Sequence, residues 1–165
     1  MFVNFAYGSN MASLRLRART PSARAIGIAR LNGHRLMWHK AGRDGSAKCD
    51  CLQTGDPADV VWGVLYRIAL AERAALDAAE GLGQGYDEKT VQVVSATGVV
   101  AASVYRATHI DAALQPFDWY LAYVLHGARE HRLPQDYQRE LARVSAVVDA
   151  DEKRRALNLA LLGLA

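Results

Sequence analysis

Residues 2–19 read FVNFAYGSNMASLRLRAR, and the order of residue types in this stretch decides how the rest is understood. Positions 2–7 are short, aromatic and apolar, as a buried strand would be. The polar triplet Gly8, Ser9 and Asn10 then breaks the run, and residues 11–19 have helix-forming composition, with Asn10 or Ser9 placed to cap the helix. The stretch is a strand, a turn and a helix. A strand that turns through Gly8 into a helix presents successive main-chain N–H groups, and such groups form an anion or oxyanion site. Tyr7 can flank that site, and Asn10 can orient a ligand or cap the helix. An ordinary glycine turn with an asparagine cap accounts for the same letters, so both readings stand at this point.

Working outward, strand patterns follow in ARLNGHRLMW around a turn at Asn32 and Gly33, in AKCDCLQT, and in DVVWGVLYRI. In the last, Val60, Trp62, Val64, Tyr66 and Ile68 share one face while Val61 and Leu65 lie on the other, the pattern of a central strand covered on both sides. LAERAALDAAEG is a helix that Gly81 terminates in the left-handed conformation. YDEKTVQVVS and VVAASVYRA form a hairpin joined at Thr97 and Gly98. Beyond them the chain is helical. Pro116 and Asp118 open one segment carrying Trp119, Tyr120, Tyr123, Val124 and Ala128, and Pro134 starts another with Tyr137, Leu141 and Val144. Strands in succession with helices gathered around them indicate an α+β fold.

The chain has 165 residues, 51% of them hydrophobic, enough for one domain with its own core. No repeat or linker divides it, so we expect a single domain over 1–165 with a C-terminal helical extension at about 149–165. Twenty Lys and Arg against 17 Asp and Glu give a formal charge of only +3, which argues against nucleic acid as the main partner. No apolar stretch approaches the roughly 20 residues of a membrane span, and a secretory leader pattern is lacking, so the expected location is cytoplasmic. Cys49 and Cys51 have no second Cys or His pair beside them, and His126 and His131 are five apart, off the i, i+4 helical face; we expect no metal. The tail DEKRRALNLALLGLA is either a docked helix or a contact for another subunit, which keeps a homodimer open.

In LDAAEG, residues 76–81, Glu80 falls in the last turn of its helix, where the unsatisfied carbonyls disfavour a carboxylate. Burial beneath the LGQGY loop would raise its pKa further, toward a value suited to taking and returning a proton, and Asp77, three residues back, either adds to that rise or simply lies at the surface. A solvated last-turn glutamate is the alternative. Glu72 and Asp87 are expected to face solvent.

These segments together resemble the gamma-glutamylcyclotransferases and their gamma-glutamylamine cyclotransferase and AIG2-like relatives. YGSN at Tyr7–Asn10 matches the family's signature loop, WGVLY at 62–66 its central strand, and LDAAEG followed by GYDEKTVQV its glutamate segment and next strand. GAREHRLPQDYQREL at 127–141 resembles the helical portion of the classical branch. The resemblance spans Phe5 to Leu141 and lapses after about Val144, while residues 43–56 differ from the family pattern. It implies a small, mostly antiparallel barrel-like sheet flanked by helices. It also implies Glu80 as general acid/base, Tyr7, Gly8, Ser9 and Asn10 as the substrate cradle, and Tyr86, Tyr105 and Tyr120 as pocket residues.

The implied activity is release of 5-oxoproline and a free amine or amino acid from a small gamma-glutamyl compound, an acyl transfer that closes a ring, without a cofactor. Glutathione is the less favoured substrate, because relatives acting on it carry a different version of the loop. Two other classes remain: a non-catalytic module binding a small metabolite in the same pocket, and an interaction protein acting through its C-terminal helix.

Overall fold

The computed structural model describes residues 1–164. Five strands close into a barrel in the order β1 (Phe2–Ala6), β5 (Val60–Ile68), β2 (Arg24–Asn32), β6 (Tyr86–Ser95), β7 (Gly98–Ala107). Neighbours run antiparallel except at the seam, where β1 meets β7 in parallel through Asn4 and Ser103. The buried Asn4 side chain closes that seam, its Nδ2 donating to the Ser103 carbonyl at 3.2 Å. As its two-faced apolar pattern predicts, β5 lies inside the sheet, paired with β1 on one side and β2 on the other. Gly63 on β5 is required by space: a Cβ there would stand 2.4 Å from the Ala6 carbonyl oxygen and 2.8 Å from the Phe5 ring. The sheet is thus the barrel-like, mostly antiparallel one expected, in an α+β fold.

The segment around Gly33 departs from the simplest reading of its sequence. The two strands that flank this glycine, β2 and β3 (His34–Ala41), do not pair with each other. Instead β3 pairs with β4 (Ala47–Gln53) in a separate two-stranded hairpin that carries a bulge between Trp38 and Lys40. The hairpin is fixed to the barrel through the buried Asp50, which accepts the Ala107 main-chain N–H at 2.8 Å and lies 2.9 Å from His39 Nε2.

Helix α1 (Ser13–Arg19) follows β1 after a single 3-10 turn at Ser9–Met11. Neither Ser9 nor Asn10 caps it: the N-cap is Ala12, without a side-chain cap bond, because the Ser9 hydroxyl accepts from Arg15 and the Asn10 amide is drawn across the structure to Glu80. Helix α3 (Asp118–Glu130) presses on this turn. A Cβ at Gly127 would lie 2.5 Å from the Ala12 nitrogen and the Met11 carbonyl carbon, so α3 reaches the turn backbone to backbone. Tyr123, Val124 and Ala128 of α3 join Phe5, Met11, Leu16, Val64 and Tyr66 in the core.

Helices α2 (Arg73–Glu80), α4 (Gln135–Ala142) and α5 (Glu152–Leu161) complete the structure. Glu72, expected to face solvent, instead accepts from the Ser22 N–H and hydroxyl, whereas Asp87 is exposed as expected. The C-terminal helix is docked: Asp151 caps it by accepting the Arg154 N–H, the buried Asp149 carboxylate binds Arg154 and the Trp119 indole, and Leu159 and Leu162 pack on the core. Among the described residues no helix is long and apolar enough to cross a membrane.

Candidate active site

Gly81, at φ 73°, ends α2 in the left-handed conformation predicted for it. The Gly81 N–H bonds the Ala78 carbonyl and the Leu82 N–H bonds the Asp77 carbonyl, the paired bonds of a Schellman cap. This closure aims Glu80 inward. Its Oε1 accepts from Asn10 Nδ2 at 2.6 Å and from Arg19 at 2.7 Å, and Arg19 also donates to Asn10 Oδ1 at 3.0 Å. Along the sequence only negative neighbours lie near this carboxylate. The structure adds a guanidinium, and it sends Asp77 elsewhere, to accept the Tyr105 hydroxyl at 2.6 Å. Oε2 of Glu80 has no hydrogen-bond partner among the described residues.

All eight residues singled out from the sequence line one inner cavity of about 40 Å³: Tyr7, Gly8, Ser9, Asn10, Glu80, Tyr86, Tyr105 and Tyr120. Gly8 is needed for closeness and not for a left-handed φ, since its φ is −112° and a Cβ would meet the Cys49 Cβ at 3.1 Å and the Tyr120 hydroxyl at 3.2 Å. The main-chain N–H groups of Gly8, Ser9 and Asn10 donate to no acceptor among the described residues. Three consecutive unpaired donors therefore belong to residues that line the same cavity as Glu80.

The tyrosines divide by what holds them. Tyr7 donates to the Tyr105 carbonyl at 2.5 Å and Tyr86 to the Cys49 carbonyl at 2.6 Å, so both hydroxyls are committed to the main chain. Tyr120 accepts the Cys49 N–H at 3.0 Å and keeps its own proton to offer. Burial pushes the pKa of Tyr7, Tyr86, Tyr105 and Tyr120 up, so these phenols stay neutral at physiological pH. Cys49 enters the site through its backbone, between two tyrosines, while its thiol is buried.

An outer cavity of about 250 Å³ adjoins the inner one and shares Ser9, Glu80, Tyr86 and Tyr120 with it. Its walls carry five cationic side chains that sequence reading passed over: Arg15, Arg19, Lys40, Arg43 and Lys48. Arg15 and Arg19 are four apart on α1 and share a face, so their spacing held the signal. For Lys40 and Lys48 no local signal exists, because the β3–β4 hairpin that brings them has to be positioned first.

The AIG2-like family model matches residues 60–141, which takes in Glu80, Tyr86, Tyr105 and Tyr120. A gamma-glutamylcyclotransferase of Bos taurus is 31% identical over 146 residues, an alignment covering 85% of this chain and 77% of that protein. The Mus musculus gamma-glutamylcyclotransferase is 32% identical over 153 residues with the same coverage. A solved gamma-glutamyl cyclotransferase structure superposes with a TM-score of 0.82 at 27% identity, over 93% of this chain and 96% of its own. The chain spans most of the length of these proteins, keeps their fold, and belongs to the gamma-glutamylcyclotransferase family.

Proposed function

We propose that the protein converts a gamma-glutamyl amide into 5-oxoproline and a free amine, with Glu80 as the only acid/base. The observation that carries this reading is that Glu80 and the turn residues Gly8–Asn10, with their free main-chain donors, line one cavity. The substrate's α-amine attacks its own gamma-carbonyl and closes a five-membered ring. Because nucleophile and target are tethered, the protein has chiefly to fold the glutamyl chain, and such intramolecular reactions reach effective molarities of about 10⁵ to 10⁸ M.

The amine is an ammonium at neutral pH and must lose a proton to attack. Oε2 of Glu80 is the oxygen left to take it, since Oε1 is held by Asn10 and Arg19. Held this way the carboxylate keeps its orientation, as a base must. The N–H groups of Gly8, Ser9 and Asn10, with the Tyr120 hydroxyl, supply donors for the oxygen that gains charge in the tetrahedral intermediate and for the α-carboxylate. Protonated Glu80 then returns its proton to the departing nitrogen, which cannot leave as an amide anion. The step is balanced without redox change and without a cofactor. A cytoplasmic location fits the two free, buried thiols.

The test is product identity. Incubation with gamma-glutamylalanine should release 5-oxoproline and alanine in equal amounts. Free glutamate in place of 5-oxoproline would mean hydrolysis and would overturn the ring closure, and binding without any product would favour the binding-module reading.

A further inference from the structure

The outer cavity is far more basic than a neutral leaving group requires. Of its five cations, Arg19 is paired with Glu80 and Lys48 with Asp44 at 2.7 Å. The other three have only neutral partners among the described residues. Arg15 donates through Nε to the Ser9 hydroxyl at 3.1 Å and lies over the Tyr123 ring at 4.5 Å. Arg43 donates to the Gln84 amide oxygen. The Lys40 ammonium makes no hydrogen bond or ion pair among the described residues, although the residue is only 7% exposed.

Lys40 is also seated with care. The bulge between Trp38 and Lys40 interrupts the hairpin just before it, and bulges beside active sites commonly re-aim a side chain. Gly85 leaves room for its stem: a Cβ there would stand 2.9 Å from Lys40 Cε and 3.0 Å from Nζ. The ammonium lies 4.8 Å from the centre of the Tyr86 ring, on the wall it shares with Glu80. Burial pulls the pKa of Lys40 and of Arg15 below their ordinary values, as expected of desolvated cations without full compensation. A charge taken out of water in this way is retained where a ligand supplies its counter-charge.

Resting on the function proposed above, the arrangement says what the departing half of the substrate is. The glutamyl half belongs in the inner cavity, where its own charged groups meet Glu80 and the free N–H groups. Two desolvated cations without an anionic hydrogen-bond partner, Arg15 and Lys40, and the exposed Arg43 then line the cavity left to the leaving amine. An alkylamine or a second ammonium would leave all three unpaired, and a neutral amino acid supplies one carboxylate. We propose that the outer cavity selects gamma-glutamyl compounds whose leaving amine carries two anionic groups, an acidic amino acid or a phosphorylated amine, and that Lys40 is a specificity-determining residue for them.

The experiment compares four substrates on the intact protein: gamma-glutamylglutamate, gamma-glutamyl-O-phosphoserine, gamma-glutamylalanine and Nε-(gamma-glutamyl)lysine. One or both acidic substrates should exceed the alanine compound in kcat/KM by at least about tenfold, the effect of one added charge-assisted hydrogen bond, with the difference in KM. The better of the two identifies carboxylate or phosphate as the second anion. Lys40→Met keeps the buried stem and removes the charge, and should shrink that ratio to about threefold or less with no fall in melting temperature. Equal kcat/KM for acidic and neutral substrates, or a ratio untouched by Lys40→Met, overturns the inference and leaves ring closure standing. If no substrate gives 5-oxoproline, the catalytic reading has failed. The uncleaved compounds are then titrated onto the protein by calorimetry, where the same order of affinity supports the inference and equal affinities overturn it.

Discussion

Replacing Gly127 by alanine tests whether α3 positions the signature turn. The new methyl would sit 2.5 Å from the Ala12 nitrogen, the Met11 carbonyl carbon and the Met11 Cβ, whereas ordinary contact begins near 3.4 Å. Helix and turn must therefore separate by about 1 Å at a fully packed junction. Overpacking of this kind costs about 1 to 3 kcal/mol, and alanine returns up to about 1 kcal/mol through its better helix propensity. The net loss is at most about 3 kcal/mol, which for a domain of this size lowers the melting temperature by no more than about 12 °C. Activity should suffer more. The turn carries Ser9 and Asn10, whose amide holds Glu80, and a 1 Å misplacement of reacting groups can cost on the order of a hundredfold in rate. Thermal unfolding by circular dichroism and 5-oxoproline release at saturating gamma-glutamylalanine measure the two effects separately. Wild-type turnover in a folded Gly127→Ala protein would refute the claim that this contact sets the turn.

Arg19→Met removes the cation that holds Glu80 Oε1 and should lower kcat by about tenfold while the fold is kept, with Arg19→Lys recovering part of the loss; unchanged kinetics would show that the pair is incidental. Cys49 and Cys51 are pushed by burial from 9.0 up to about 12, so the folded state keeps protons that the unfolded state sheds. Their contribution is fully present below about pH 9 and is lost as the pH climbs through about 12, at roughly 1 kcal/mol per pH unit for each thiol, which urea titrations between pH 8 and 11 will register. The same burial predicts that thiol reagents modify the native protein at pH 8 only at the rate at which it unfolds.

What the sequence disclosed and what it withheld follow from the range of the interactions. Residues 2–19 revealed a strand, a turn and a helix because a change from apolar to polar to helix-forming composition is local. The two-faced pattern of β5 and the cap at Gly81 are local too, and both are found where expected. The partner of Asn10 is not local. Its amide reads as a helix cap until Glu80, 70 residues away, is brought beside it. Arg19 reads as a solvated charge for the same reason, and the carboxylate's environment was misjudged without it. The departure of β3 and β4 from the barrel depends on which edges β2 offers to β5 and β6, a choice that alternation within a strand does not encode. Lys40 and Lys48 became site residues only through that choice, and residues 43–56, where the family resemblance was weakest, contribute Arg43, Asp44 and Lys48 to the outer wall.

The most direct test of the chemistry is Glu80→Gln, assayed for 5-oxoproline on a gamma-glutamyl substrate that the wild-type protein consumes. Glutamine preserves the shape and can still accept from Asn10 and Arg19 through its carbonyl oxygen, but it cannot carry a proton. The account predicts a folded protein that binds substrate and releases at least about a hundredfold less 5-oxoproline, the usual scale of a positioned acid/base. Release at the wild-type rate would contradict it.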